Sequence, residues 1–232
     1  MNRNLLKIIA FVSMVIDHVG SYLLDNNIVF RIIGRLAFPI FAYFIAEGMK
    51  FTRNRKRYIL LLFLFACISQ VPYMLLSERF KLNVLFTFLL AILFILIIEK
   101  FMKMENQKNL AKMIGFMILI LSMFIACLIV GDVLQYIEYG TLGIMLVVVF
   151  YFAKTPLNMI LAALVLILMV LKRLLFMDFL ISLNNVFQIF SLASIILIAV
   201  YNHKKGKMNL KYLFYVGYPA HLLLIWIITL FI

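Results

Sequence analysis

Charged residues are scarce in this chain: Asp, Glu, Lys and Arg make up 13% of its 232 residues, while 67% are apolar. An ordinary soluble domain is about a quarter charged and about half apolar. A compact body of this length still exposes much of its surface, so an apolar share this large has no home in one water-facing core. The shortage of charge excludes a soluble enzyme, a secreted scaffold, a disordered chain and a free nucleic-acid binder, and makes a lipid bilayer the natural solvent. Acidic residues are the scarcest: nine Asp and Glu stand against 22 Lys and Arg, a net charge of +13. On a soluble protein such an excess would point to nucleic acid. On a bilayer protein it marks cytoplasmic loops, and no nucleic-acid partner is expected. Cysteine is nearly absent. Cys67 and Cys127 both lie inside apolar runs, which reads as packing and excludes a disulfide framework or a thiolate metal site. No metal-ligand spacing, glycine-rich phosphate loop or nucleophile elbow occurs, so no metal is expected.

Four prolines and nine glycines leave long apolar runs between them. A bilayer-spanning helix needs about 20 mostly apolar residues. Candidate runs lie at 5–24, 28–49, 58–76, 83–98, 113–131, 136–153, 157–171, 186–201 and 212–232. The expected fold is all-α and polytopic, with about nine transmembrane helices (eight to ten) in one domain over residues 1–232. The stretch 172–185 reads either as an interfacial helix or as part of another short crossing. Polar residues inside the first run, with no small-residue cleavage site after it, argue against a cleavable signal peptide. With the amino terminus inside, cytoplasmic segments hold Arg3, Lys7, Lys50, Arg53, Arg55, Lys56 and Arg57, the lysines of 100–112, Lys154 and those of 204–211. These are 16 of the 22 basic residues. The positive-inside bias therefore predicts a plasma-membrane protein with its amino terminus in the cytoplasm and its carboxyl terminus outside.

Ionisable groups inside a span are costly unless partnered, so each one asks for a reason. Most fall in the first hairpin: Asp17 and His18 in the first run, Arg31, Arg35 and Glu47 in the second. From the helical rise, Asp17 lies about 12 Å below the outer turn near Asp25, and Arg35 about 10 Å below it. Antiparallel neighbours thus hold the two at one depth, where they can pair. His18 shares that layer, turned by about 100° around its helix. His221, in the last run, lies about 14 Å in from the opposite side. The four residues can converge slightly outside the midplane. An Asp17–Arg35 pair either fixes helix packing or serves chemistry. His18 beside an aspartate is either a hydrogen-bonded structural group or a proton handler. His221 ends the run Tyr215-Val-Gly-Tyr-Pro-Ala-His221, whose glycine and proline open the helix backbone near the ring.

Glu47 stands at the end of its span beside Lys50, Arg53, Arg55, Lys56 and Arg57. That basic loop is a topology determinant whose chemistry also suits phosphates. On the opposite side, Asn83 and Thr87, with the turn Asp132, Tyr136, Glu138, Tyr139 and Gly140, stand where a substrate mouth would be. Each is equally ordinary at a helix end.

At several of these residues the sequence resembles the TraX family, named for the conjugation protein linked to amino-terminal acetylation of pilin. The motifs that carry the likeness are Leu6-Lys-Ile-Ile-Ala-Phe11, Ile16-Asp-His-Val-Gly20 and Gly34-Arg-Leu-Ala-Phe-Pro-Ile-Phe-Ala-Tyr43. They continue with Glu47-Gly48, Thr52-Arg-Asn54, Asn83-Val-Leu-Phe-Thr87, Glu138-Tyr-Gly140, Lys211-Tyr-Leu-Phe-Tyr215 and Tyr218-Pro-Ala-His221. The resemblance implies a small member of a wider group of multi-span membrane acyltransferases, which take acetyl-CoA or a related donor from the cytosol and modify hydroxyls or amines on the far side. In that group an intramembrane histidine near the start of the chain is the catalytic residue, and His18 is its match. Where the wider group carries an arginine close before it, this chain has Asp17.

On that resemblance His18 is the expected base, with Asp17 and Arg35 positioning the site. Glu47, Lys50, Arg53, Arg55, Lys56 and Arg57 form the expected CoA-binding set, and Asn83, Tyr139 and His221 the acceptor-binding set. Acyl transfer needs a base and a donor to the tetrahedral oxyanion; His18 supplies the first, and Arg35 or His221 the second. The expected partners are acetyl-CoA as acyl donor and an extracytoplasmic acceptor, such as a pilin or peptide amino terminus or an envelope glycan. Two other functions use the same residues differently. Intramembrane Asp, His and Arg also build proton-coupled transporters, although no paired broken helices in matching halves are visible. A non-catalytic scaffold for pilus or surface-polymer assembly would have no need of His18.

Overall fold

Inside a bilayer no water reaches the backbone, so a spanning chain must satisfy its own N–H and C=O groups. The computed structural model describes residues 1–77, 80–105, 110–176, 186–204, 206 and 210–232. Among these the regular structure is helical, apart from one isolated bridge between Leu82 and Ile137. The helices are α1 (Arg3–Tyr22), α2 (Ile28–Gly34), α3 (Ala37–Phe51), α4 (Arg55–Leu76), α5 (Val84–Glu105), α6 (Leu110–Cys127), α7 (Gly140–Phe152) and α8 (Leu157–Phe176). A π-helical turn, Leu128–Val133, follows α6, and a 3₁₀ segment, Val186–Leu192, leads into α9 (Ala193–Ala199); α10 is Lys211–Thr229.

Asparagine starts four of these helices. The side chains of Asn2, Asn27, Asn54 and Asn83 accept from Leu5 N, Val29 N, Arg57 N and Leu85 N at 2.9–3.1 Å, each satisfying a donor that a helix start leaves orphaned. The run 28–49 is not one straight helix. Pro39 has no N–H to give the Arg35 carbonyl, and its ring crowds that same oxygen, so the helix breaks there. The Leu36 amide bonds Ile33 O at 3.3 Å in the break, and the chain re-enters helix at Ala37.

Four segments are long and apolar enough to cross a bilayer: Arg3–Tyr22, Ile28–Phe51, Arg55–Leu76 and Val84–Lys103. The other apolar helical stretches among the described residues are shorter, including Gly140–Phe152, Leu157–Lys172 and Phe214–Thr229, and the expected count of about nine full spans rests on them. The shortfall is clearest at α7, whose 13 residues rise about 20 Å against a hydrocarbon core of about 30 Å. The run 136–153 loses its first turn because Tyr139 takes left-handed backbone, φ 61°, as does Gln135 just before the run, φ 55°. The run 186–201 divides into the 3₁₀ segment and α9. Of the ambiguous stretch 172–185, α8 takes the part up to Phe176 and 177–185 lies outside the described residues.

The helix α7 is apolar on all sides, which is the pattern of a helix enclosed by others. It packs against α3, α5 and α8 and buries Ile144, Leu146, Val147 and Phe150. Around this centre α1 lies along α2, α3 and α10, and α10 leans on α4. The outer surfaces of α4 and α6 are apolar, exposing Ile68, Val71, Ile118 and Leu121 as lipid requires. Cys67 belongs to that outer surface and not to the packing expected of it, while Cys127 is buried. The bundle has two distinct ends. At the basic end Arg55 pairs with Glu99, and Arg3 N donates to Lys204 O. At the opposite, far end, Leu82 pairs through its backbone with Tyr136 and Glu138.

Candidate active site

Just before the break in the second span, two guanidiniums one helical turn apart face one carboxylate. Arg35 Nη2 meets Asp17 Oδ1 at 3.1 Å and Arg31 Nη1 meets Oδ2 at 3.3 Å. Arg35 is held further by its Nε on Arg31 O at 3.2 Å and its Nη1 on Gln188 Oε1 at 3.0 Å, with the Phe187 ring 5.5 Å from its guanidinium carbon. The close crossing of α1 and α2 that permits this depends on Gly34, where a Cβ would come within 2.2 Å of Asp17 Cβ. The equal depth of Asp17 and Arg35 was readable from the helical rise. The shares taken by Arg31 and Gln188 were not, since they depend on how each helix is rotated. The only signal for Gln188 was a polar side chain in an apolar run.

The carboxylate of Asp17 is thus occupied by arginines, and His18 has a different partner. Its Nδ1 lies 2.7 Å from Nε2 of His221, whose Nδ1 lies 2.8 Å from Gly217 O. The rings are 5° from parallel with centroids 5.0 Å apart. A ring radius on each side of a 2.7 Å contact accounts for that separation, so the imidazoles meet edge to edge and not face to face. Gly217 makes this possible: a Cβ there would be 2.7 Å from the Phe11 ring, at the contact between α1 and α10.

Two cavities meet at this layer. A polar one of about 310 Å³ reaches the far end and is lined by Asp17, His18, Tyr22, Arg31, Arg35, Tyr73, Lys81, Glu138 and Tyr139. Within it the Tyr73 hydroxyl donates to the Glu138 carboxylate, and Lys81 Nζ stands 3.8 Å from the same group. Tyr139 stacks on Phe38 with centroids 3.6 Å apart. An apolar cavity of about 350 Å³ reaches the basic end between Phe11, Phe44, Tyr58, Leu62 and Phe214, with Arg3, Lys7, Glu47 and Thr52 also on its walls. The Lys7 ammonium sits over the Phe44 and Phe214 rings, 5.2 and 5.1 Å from their centroids. Met14, Phe41, Val84, Phe88 and Tyr218 line both cavities. One layer of side chains therefore separates an apolar chamber from a polar one that contains His18.

The remaining expected site residues divide. Glu47 is buried on the apolar cavity, where Arg3 Nη2 reaches it at 2.7 Å and the Tyr201 hydroxyl at 3.2 Å. Lys50 donates to Phe150 O at 3.0 Å, and Arg55 grips Glu99 at 2.6 and 3.2 Å and the Tyr151 hydroxyl at 2.8 Å, so both hold helices together. Arg53, Lys56 and Arg57 are exposed on the basic face. Asn83 is fully buried and does not line the polar cavity. Its amide is spent on Ala66 O, Gln70 Oε1 and the start of α5. His221 also lies behind the cavity wall, against His18. Sequence reasoning passed over Arg3 and Lys7 as wall residues, because nothing in their spacing shows that α1 carries them along a chamber.

An all-helical bundle with an apolar exterior and partnered ionisable residues inside is a polytopic membrane protein. The chain belongs to the TraX family, whose "TraX protein" family model matches residues 2–229. It is similar to an uncharacterized protein of Rickettsia prowazekii (strain Madrid E), 36% identical over 34% of this chain and 29% of that one. It is also similar to the probable fimbrial assembly protein FimC, serogroup H1, of Dichelobacter nodosus, 33% identical over 42% of this chain and 49% of that one. The matches thus span less than half the length of either relative. No solved structure matches the chain.

Proposed function

We propose that this TraX-family protein is a plasma-membrane acyltransferase, with its amino terminus in the cytoplasm and its carboxyl terminus outside. In this reading it carries an acetyl or related acyl group from a CoA thioester at the basic end to an amine or hydroxyl at the far end. The observation that carries the reading is the pair of cavities divided by a shared wall, one apolar with Arg3 and Lys7 on its walls, the other polar with His18 on its lining. An apolar chamber of about 350 Å³ suits the thin pantetheine arm of a thioester, and lysine and arginine suit its phosphates. The extracytoplasmic acceptor, a peptide amino terminus or an envelope glycan, enters the polar cavity. His18 takes the acceptor N–H or O–H proton as the acceptor attacks the thioester carbonyl. In this reading the pantetheine arm carries the thioester carbonyl through the shared wall to the acceptor; the acyl–sulfur bond breaks as the acyl–acceptor bond is completed, the thiol leaves with the proton that His18 took up, and CoA stays at the basic end. Arg31 lines the cavity and stands in place to donate to the tetrahedral oxyanion, while Arg35, held by Asp17 and Gln188, acts through position.

A ligand that binds only the folded state raises its stability. Purified protein is therefore heated with CoA, acetyl-CoA and a nucleotide control, as wild type and as Lys7→Ala. Stabilisation by the CoA species that weakens in the variant supports the donor chamber. No response to any CoA species overturns the reading and directs attention to proton-coupled transport or scaffolding.

A further inference from the structure

We infer that His221 is a positioning residue that locks His18 in one tautomer, leaving Nε2 of His18 as the free lone pair among the four ring nitrogens. A carbonyl oxygen only accepts hydrogen bonds, so the 2.8 Å contact from His221 Nδ1 to Gly217 O requires a proton on that nitrogen. In a neutral imidazole the other nitrogen is then unprotonated, and Nε2 of His221 must accept. Its partner at 2.7 Å, Nδ1 of His18, must therefore donate. For the neutral pair the network has one solution: His18 carries its proton on Nδ1, and Nε2 keeps its lone pair.

The two nitrogens of an imidazole point to nearly opposite sides. His18 lines the polar cavity while His221 lies behind its wall, so turning Nδ1 toward His221 turns Nε2 away from it, toward the cavity. No described residue hydrogen-bonds Nε2. The lock is built into the packing of α1 on α10: Phe11 stands edge-on to the His221 ring at 6.2 Å, Tyr218 flanks it at 5.5 Å, and His221 is buried. A second-layer hydrogen bond that selects a histidine tautomer is a familiar way to aim a base. Here it is supplied by a second histidine whose own tautomer is set by the helix backbone.

What the free lone pair does rests on the acyl-transfer reading; the tautomer itself is a property of the folded protein, and the test separates them. The chain has three histidines, of which His203 is two-thirds exposed and can be removed as His203→Gln. Histidine labelled with ¹⁵N, in protein held in lipid nanodiscs, reports each ring nitrogen directly. The expected spectrum at neutral pH shows His18 protonated on Nδ1 and bare on Nε2, with a coupling across the bond to His221 Nε2. His221→Ala releases the lock and His18 populates both tautomers. His221→Gln, whose amide oxygen can accept from Nδ1–H, restores the Nδ1–H form. In a transfer assay His221→Ala lowers kcat on the order of ten-fold or more with little change in KM, and His221→Gln recovers part of it. A wild-type His18 protonated on Nε2, or a tautomer unchanged in His221→Ala, overturns the inference. If the alanine variant does not fold, the wild-type spectrum decides alone. Wild-type protein that shows the lock but transfers no acyl group would sink the acyltransferase reading and leave the lock standing.

Discussion

Asp17 is the residue on which the interior charges depend. Its two oxygens pair with two guanidiniums, so one negative charge faces two positive ones, and Arg35 is almost fully buried, with 5% of its side chain exposed. Removing one member of a buried pair costs more than the pair contributes, because the partner charge is left uncompensated. Asp17→Ala is expected to destabilise the fold by about 3–5 kcal/mol, and Asp17→Asn by less, since its amide oxygen still accepts. Thermal unfolding in detergent checks the order. The expectation for His18 differs. His18→Ala removes an imidazole whose only hydrogen-bond partner among the described residues is His221, leaving one buried acceptor unpaired, so unfolding shifts by less than for Asp17→Ala, about 1–3 kcal/mol, while the proposed acyl transfer is abolished. A fully active alanine variant would remove the base from the mechanism. Both positions were visible as ionisable residues in an apolar run. The partner of His18 was not, because adjacency in sequence made Asp17 the obvious neighbour while helical geometry turns consecutive residues about 100° apart.

At the scale of elements, the site depends on two close crossings beside a break. Pro39 interrupts the second span beside Arg35, and Arg31 and Arg35, one helical turn apart, face the same carboxylate. The crossings use Gly34 and Gly217, and they should differ in tolerance. A methyl at Gly34 meets Asp17 Cβ at 2.2 Å, an atom fixed to its backbone, whereas one at Gly217 meets the outer edge of the Phe11 ring at 2.7 Å, which can swing. Overpacking of this kind typically costs about 1–3 kcal/mol. Gly34→Ala is expected near or above the top of that range and Gly217→Ala near the bottom, measured by unfolding side by side. Equal losses would mean that the α1–α2 crossing can open without harm. The proline was legible in the sequence and its consequence was not, since 28–49 reads as one apolar run of full spanning length.

For the whole molecule, the basic end gathers Arg3, Lys50, Arg55 and the segment near Lys204, and the proposed topology, which follows the positive-inside bias, has that end in the cytoplasm. Single cysteines at exposed positions test this: Leu24→Cys at the far end and Arg53→Cys at the basic end, with a membrane-impermeant maleimide on intact cells. Leu24→Cys is expected to label at once and Arg53→Cys only after permeabilisation. The reverse pattern would invert the proposed donor and acceptor sides. The native Cys67 lies on the outer surface of α4 among apolar residues, where such a reagent does not reach.

The sequence by itself determined the membrane class, the helical class, the end at which positive charge collects and the shared level of Asp17 and Arg35. All of these follow from composition and from a constant rise per residue. Tertiary structure alone decided which groups at one depth touch. Depth is a local property of one helix, whereas contact depends on the rotation of two helices and on how closely their backbones approach. That is why the Asp17–Arg35 pair could be anticipated along the chain. The contact between His18 and His221, 203 positions apart, appeared only when Gly217 let α10 close against α1.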